Sequence, residues 1–153
     1  MTLLAGLTVL LVVTLCVQSA QDKVTLEVLY PQKTITVARG SSVTLSCDAN
    51  YDSGQCGLVR VVWLQKDTEL SDPDKYFTTV NETVSDGNMR RRQVVVEIVD
   101  LTTEDTGVYQ CKGECENGET AMGHIIRISV KAVEVNDMTV YDIAEGKNVE
   151  DEQ

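Results

Sequence analysis

Four runs of residues alternate apolar and polar at every second position, and that period limits the chain to β structure. In "SVTLSC", Val43, Leu45 and Cys47 alternate with Ser42, Thr44 and Ser46. In "VRVVWLQ", Val59, Val61 and Trp63 share one face, opposite Arg60, Val62 and Leu64. "VVVEIVDL" places Val94, Val96 and Ile98 together, and "HIIRISVK" does the same with Ile126, Ile128 and Val130, leaving Ile125, Arg127 and Ser129 on the other side. β-branched residues dominate these runs and no helical period competes. Gly40 and Ser41 form a turn before the first run, and "SDGN" at 85–88 separates residues 76–84 from the run after Met89. Many short strands joined by turns predict a sandwich or a barrel.

A core of this kind has few aromatic residues to fill it, so the cysteines matter. Of five, Cys16 lies in an uncharged apolar run over residues 3–17, followed by the small residues Ser19 and Ala20. That pattern reads as a signal peptide over 1–20, cleaved after Ser19 or Ala20, with an atypical start whose only positive charge is the terminal amine. The run is short of the roughly 20 residues that span a bilayer. No second apolar run follows, so membrane insertion is not expected and a secreted, extracellular protein is. Cys47, Cys56, Cys111 and Cys115 remain, an even set that predicts two disulfides in an oxidising compartment. Counting alone leaves three connectivities open.

Residues 132–153 differ in kind. They are acidic and poor in large apolar residues, and they are expected to be a disordered tail. Tyr141 lies there in "MTVYDIAEG", an acidic context that would suit a kinase only if the tail were a cytoplasmic segment of a receptor. The net charge of -11 opposes binding to phosphate backbones, so nucleic acid is not an expected partner.

Cys47, then Trp63, then "LTTEDTGVYQC" ending at Cys111, resembles the immunoglobulin superfamily, and most of all its V-set. The likeness covers about 24–131, so the domain is drawn at 21–131. The resemblance implies an all-β, V-type sandwich with Greek-key connections, Cys47 on strand B, Trp63 on strand C and Cys111 on strand F. It implies a Cys47–Cys111 disulfide crossing the two sheets beneath the indole. By chain entropy, closing a loop of about 65 residues would contribute roughly 4 kcal/mol. Tyr109 matches the tyrosine corner, its hydroxyl bonding back to the backbone near 101–104. Asp105 matches an aspartate that pairs with a basic residue, for which Lys75 is the first candidate and Arg90, Arg91 and Arg92 are rivals. The last strand fits strand G, with His124 where the family usually has threonine. Cys56 would fall in the B–C loop and Cys115 in the F–G loop. Those loops share one end of a V-type sandwich, which makes a Cys56–Cys115 bridge plausible beside an interchain alternative.

Catalysis is not expected. His124 is the single histidine, so a nucleophile–histidine–acid set has one available base, and "DSGQCG" has its cysteine claimed by a disulfide. Cys111 and Cys115 have a ligand-like spacing, but a zinc site needs three or four converging ligands, so neither metal nor cofactor is predicted. Recognition of a receptor or ligand protein is the expected function. Two surfaces are candidates. One is the loop end, residues 50–57 with 113–120, represented by Tyr51, Asp52, Gln55, Glu114, Glu116 and Asn117. The other is the outer face of strands C, F and G, carrying Val62, Leu64, Gln110, Lys112 and Ile125, which would make a homodimer or a hetero-contact. Asn81-Glu82-Thr83 is a glycosylation sequon beside a turn. The resemblance extends to short secreted single-domain immune modulators of fish. A soluble form of a leukocyte receptor and an extracellular adhesion component are the alternatives.

Overall fold

The computed structural model describes residues 24–132. The segment expected to be a signal peptide, and the residues beyond Ala132 expected to be a disordered tail, lie outside them. In chain order the strands are β1 (Leu26–Leu29), β2 (Lys33–Ala38), β3 (Val43–Asp52), β4 (Val59–Gln65), β5 (Thr68–Glu69), β6 (Tyr76–Asp86), β7 (Met89–Ile98), β8 (Gly107–Cys115) and β9 (Thr120–Lys131). A one-turn helix α1 (Ser53–Cys56) follows β3, and a 3-10 turn (Thr103–Asp105) precedes β8. The strands form two sheets, ordered β1-β3-β7-β6 and β2-β9-β8-β4-β5. Only β4–β5, β6–β7 and β8–β9 are hairpins, and every other connection crosses between sheets, which is the Greek-key sandwich.

The period-two runs face each other across the sandwich. Val43, Leu45 and Cys47, Val59, Val61 and Trp63, Val94, Val96 and Ile98, and Ile126, Ile128 and Val130 are all buried in one core. Cys47 on β3 is bonded to Cys111 on β8, with Cα atoms 6.5 Å apart, so the two sheets are joined covalently through their middle. Trp63 lies opposite Cys111 on the neighbouring strand. Its indole N–H crosses the core to donate to the Val94 carbonyl at 3.2 Å, so the largest buried side chain with a donor leaves no donor unpaired.

Tyr109 is fully buried and its hydroxyl donates to the Asp105 carbonyl at 2.8 Å. That acceptor lies one residue beyond the expected 101–104. The 3-10 turn consumes the Thr102 and Thr103 carbonyls internally, through the N–H groups of Asp105 and Thr106, and leaves the Asp105 carbonyl free for the phenol. The Asp105 carboxylate accepts from Lys75 Nζ at 2.7 Å and from the Thr102 N–H at 2.8 Å. The rival arginines are engaged elsewhere: Arg91 with Asp48, and Arg92 and Arg90 with Glu82.

Two features could not be read from periodicity. First, the chain leaves one sheet for the other at Pro31, which has no N–H to give to a ladder, and Tyr30 folds inward there. Its ring stacks at a tilt on Trp63, 5.2 Å between centroids. A register shift between Gln110 and Lys112 interrupts the pairing of β8 with β9 at Cys111, and the Cys111 N–H donates instead to Tyr30 Oη at 3.3 Å. Gln110 Nε2 closes the same irregularity by donating to the Gly123 carbonyl at 2.9 Å. The ring sits so near Gly123 that a Cβ there would fall 2.0 Å from it. Second, a V-type sandwich carries an extra strand pair after strand C. Here a two-residue turn at Lys66 and Asp67, both with positive φ, gives only the two-residue β5, and residues 70–75 then lead directly to β6.

Two substitutions test this packing by urea unfolding. Gly123→Ala should lower stability by about 2 kcal/mol or more, because the Tyr30 ring must move off Trp63 to admit one methyl group. Asp105→Ala should cost about 2–3 kcal/mol, since it uncaps the 3-10 turn and leaves Lys75 half-buried without its partner.

Candidate functional site

The end of the sandwich where β3 gives way to β4 is built by short-range chemistry. Asp52 closes the start of α1 by accepting from the Gly54 N–H at 2.9 Å. The helix ends at Cys56, bonded to Cys115 at the end of β8 with Cα atoms 4.9 Å apart. Gly57 follows at φ +72°, a backbone that favours glycine, and it brings the chain against Glu116. Hydrogen bonds then stitch the two loops together. Asn117 Nδ2 donates to the Gln55 carbonyl at 2.9 Å and the Glu116 N–H to the Leu58 carbonyl at 2.9 Å, while the Leu58 N–H returns to Glu116 Oε2 at 3.3 Å. The β6–β7 turn joins them, because both the N–H and the hydroxyl of Ser53 donate to the Asn88 carbonyl at 2.9 Å. Thr25, ahead of β1, donates to Gln55 Oε1 at 3.1 Å.

The six residues expected to present this surface divide into two kinds. Gln55, Glu114, Glu116 and Asn117 are exposed. Tyr51 and Asp52 are not: at 3% and 1% exposure they lie beneath the loops, which corrects their reading as contact residues. β3 continues through both positions, so Tyr51 faces the core and Asp52 turns under its own helix. They support the surface without forming it. Sequence reasoning missed Leu58, which is 76% exposed at the tip between Gly57 and β4. Its signal was present, since it is apolar yet out of phase with the buried set Val59, Val61 and Trp63.

The second surface is the outer face of β4, β8 and β9. Val62, Lys112 and Met122 lie in one cross-strand row, and Leu64, Gln110 and Ile125 in the next. Val62, Leu64 and Ile125 are half-buried, and Met122, also missed, is 47% exposed. Gln110 is held by the Gly123 carbonyl, so its side chain serves the fold before any ligand. Lys112 pairs with Glu114 at 3.4 Å, and Arg60 pairs with Glu69 at the rim. In the opposite sheet, Asn81 lies exposed on β6 and pairs with Gln93 of the neighbouring β7.

Between the sheets near the loop end, Glu82 gathers Arg92 at 2.6 Å and Arg90 at 4.0 Å. Burial pushes the Glu82 carboxyl up, but hydrogen bonds from Arg92 and Tyr51 and the charges of both arginines outweigh it and hold it low. Burial pushes the Tyr51 phenol up, and Glu82 adds to the shift. Among the described residues no cluster of His, Cys, Asp or Glu is placed to hold a metal ion, and no helix is long and apolar enough to cross a membrane.

The family model for the immunoglobulin domain matches residues 33–122, more than half of the chain. The chain belongs to the immunoglobulin domain family. It is 26% identical over 108 residues to the neuronal immunoglobulin domain-containing protein rig-3 of Caenorhabditis elegans, across 71% of this chain and 22% of the relative, so it spans about a fifth of that protein's length. Among solved structures, the titin domains z1z2 in complex with telethonin match 72% of this chain and 50% of theirs, at 20% identity and a TM-score of 0.48. The RIG-5 IG1 homodimer matches 71% of this chain and 99% of its own, at 18% identity and a TM-score of 0.47.

The immunoglobulin core should limit stability in alkali. Burial first, then the Asp105 charge and Tyr76, raise the Tyr109 phenol far above its ordinary range. Burial also raises Tyr30, against the opposing Cys111 N–H, and Tyr51 and Tyr76. Each folded value lies above the unfolded one of about 10, so the contribution is complete below about pH 10 and is lost as pH rises further. The urea midpoint should hold steady from neutral pH and fall above about pH 10, with the phenolate absorbance of Tyr30, Tyr51, Tyr76 and Tyr109 appearing together with unfolding rather than before it, which a Tyr141→Phe background isolates.

Proposed function

We propose that the chain is a secreted binding module that recognises a receptor or ligand protein through its stapled loop end. The observation that carries this reading is the Cys56–Cys115 bridge, together with the hydrogen bonds from Asn117, Glu116 and Leu58 that hold two loops as one surface. A loop pair ordered before binding loses less entropy on complex formation. An exposed Leu58 at its tip, bonded through its backbone to Glu116, has the layout of an apolar anchor beside a polar rim. Export is supported by the apolar segment at 3–17 and by two disulfides, which persist in oxidising compartments. Catalysis is no part of this reading. The role we assign is modulation of immune or inflammatory signalling, which rests on the resemblance to short secreted single-domain modulators. A soluble leukocyte receptor and an extracellular adhesion component compete with it.

The outer face of β4, β8 and β9 favours a second reading. On that face Val62 and Leu64 of β4 and Met122 and Ile125 of β9 flank Lys112 and Gln110 of β8, opposite the sheet that bears the Asn81 sequon, and this mixed apolar and polar face suits a homodimer or a hetero-contact.

Affinity capture with the intact secreted protein, read by mass spectrometry beside a non-reducing gel, should identify the ligand. Leu58→Lys should then weaken its binding about tenfold or more, and a Cys56→Ser, Cys115→Ser double variant should lose binding while the fold persists on its remaining disulfide. Binding that survives both changes, and is lost with Leu64→Lys, would move recognition to the sheet face.

A further inference from the structure

β6 is a long edge strand with few of the usual protections: one core-side charge, Glu82, and an irregularity at its far end. Among the described residues it pairs on one side only, with β7, and ten of its eleven residues are exposed. The remaining edges are shorter: β1 has four residues, β5 two, and β2 has six and begins at a lysine. Edge strands are normally blunted by lysine, proline or a bulge, since their free N–H and C=O groups accept another strand. β6 reads YFTTVNETVSD, without lysine, arginine or proline, and its only irregularity lies at the far end, between Val84 and Asp86. Its core-side face is also uncovered. Val80 and Val84 lie on the side of the buried Val94 and Val96, yet are 53% and 62% exposed, because β5 stops after two residues and, among the described residues, no further strand precedes β6 to cover that opening.

A second copy of β6 fits this edge. Antiparallel pairing about a two-fold axis at Val80 sets Val80 against Val80, Tyr76 against Val84 and Thr78 against Glu82 on the core side. On the outer side it sets Phe77 against Thr83 and Thr79 against Asn81. No like charges meet within the paired segment, and Glu82 keeps its contacts with Arg92. The approach of Asp86 to Asp74 of the second copy falls beyond the paired segment, in solvent. This register brings Asn81 of both copies to the centre of the join, within about 5–8 Å of its cross-strand neighbours. Branched sugars on those two asparagines have no room there.

We infer that glycosylation of Asn81 guards this edge: the sugar keeps the chain from pairing through β6, and the unglycosylated chain dimerises there. The site lies in the sheet opposite the proposed sheet-face contact and does not depend on that contact.

Sedimentation of the full secreted chain tests it, with mass spectrometry of Asn81. The glycosylated protein should sediment as a monomer and Asn81→Gln as a species of twice the chain mass. Adding Val80→Lys to Asn81→Gln should restore the monomer, whereas adding Leu64→Lys should not. An Asn81→Gln protein that stays monomeric overturns the inference. So does a secreted wild-type chain without sugar on Asn81, or a dimer that Leu64→Lys dissolves and Val80→Lys leaves intact. Failure of ligand binding in the Leu58→Lys variant bears on neither outcome.

Discussion

A covalent bond through the middle of the sandwich sets the conditions for everything around it. Cys47 and Cys111 join the two sheets at the point where Trp63 lies on the neighbouring strand and sends its N–H across to Val94. A domain of this length has little core to spare, with one tryptophan and one phenylalanine in the whole chain. The cross-link restricts the unfolded chain, and the indole fills the space beside it, so modest β-branched residues suffice for the remainder. Tyr30 and Tyr109 extend the same logic. Each is a large ring buried against the core, and each places its hydroxyl on a backbone group that the local geometry would otherwise leave unpaired.

The second disulfide works differently. It lies at the end of the sandwich and joins two loops whose backbones have no ladder to satisfy them. Around it several polar groups bond within the loops: Asn117 to Gln55, Leu58 to Glu116, Asp52 to its own helix. The consequence is a surface whose shape is set before any ligand arrives, with Leu58 left outward as its one large apolar side chain. Side chains that appear as contact residues by their place in the loops, Tyr51 and Asp52 among them, are used to build that shape.

Much of the fold was legible because strand periodicity is strict. A run such as Val43, Leu45 and Cys47 can bury only one face, and all four runs bury the expected set. The partner of Asp105 was also within reach, since Lys75 stands alone before β6 whereas the three arginines face acids on neighbouring strands. The length of β5 was not legible, because a two-residue strand has no period. Neither was the role of Gly123. Its constraint comes from the Tyr30 ring, a residue remote in sequence that meets it only after the chain crosses between sheets at Pro31. Leu58 and Met122 were missed for a related reason: exposure depends on what lies above a residue, and periodicity reports only which way it points.

By itself the sequence determined the class of the fold and the faces of its strands, because these follow from alternation, while the residues of the central cross-link were implied by the resemblance that Cys47, Trp63, Tyr109 and Cys111 carry. Tertiary structure alone decided which surfaces are available. The burial of Tyr51 and Asp52, the outward Leu58 and the uncovered edge of β6 all follow from how loops of particular lengths close over the ends and sides of the sheets. That closure sums many weak, long-range contacts, and no local pattern in the chain encodes it.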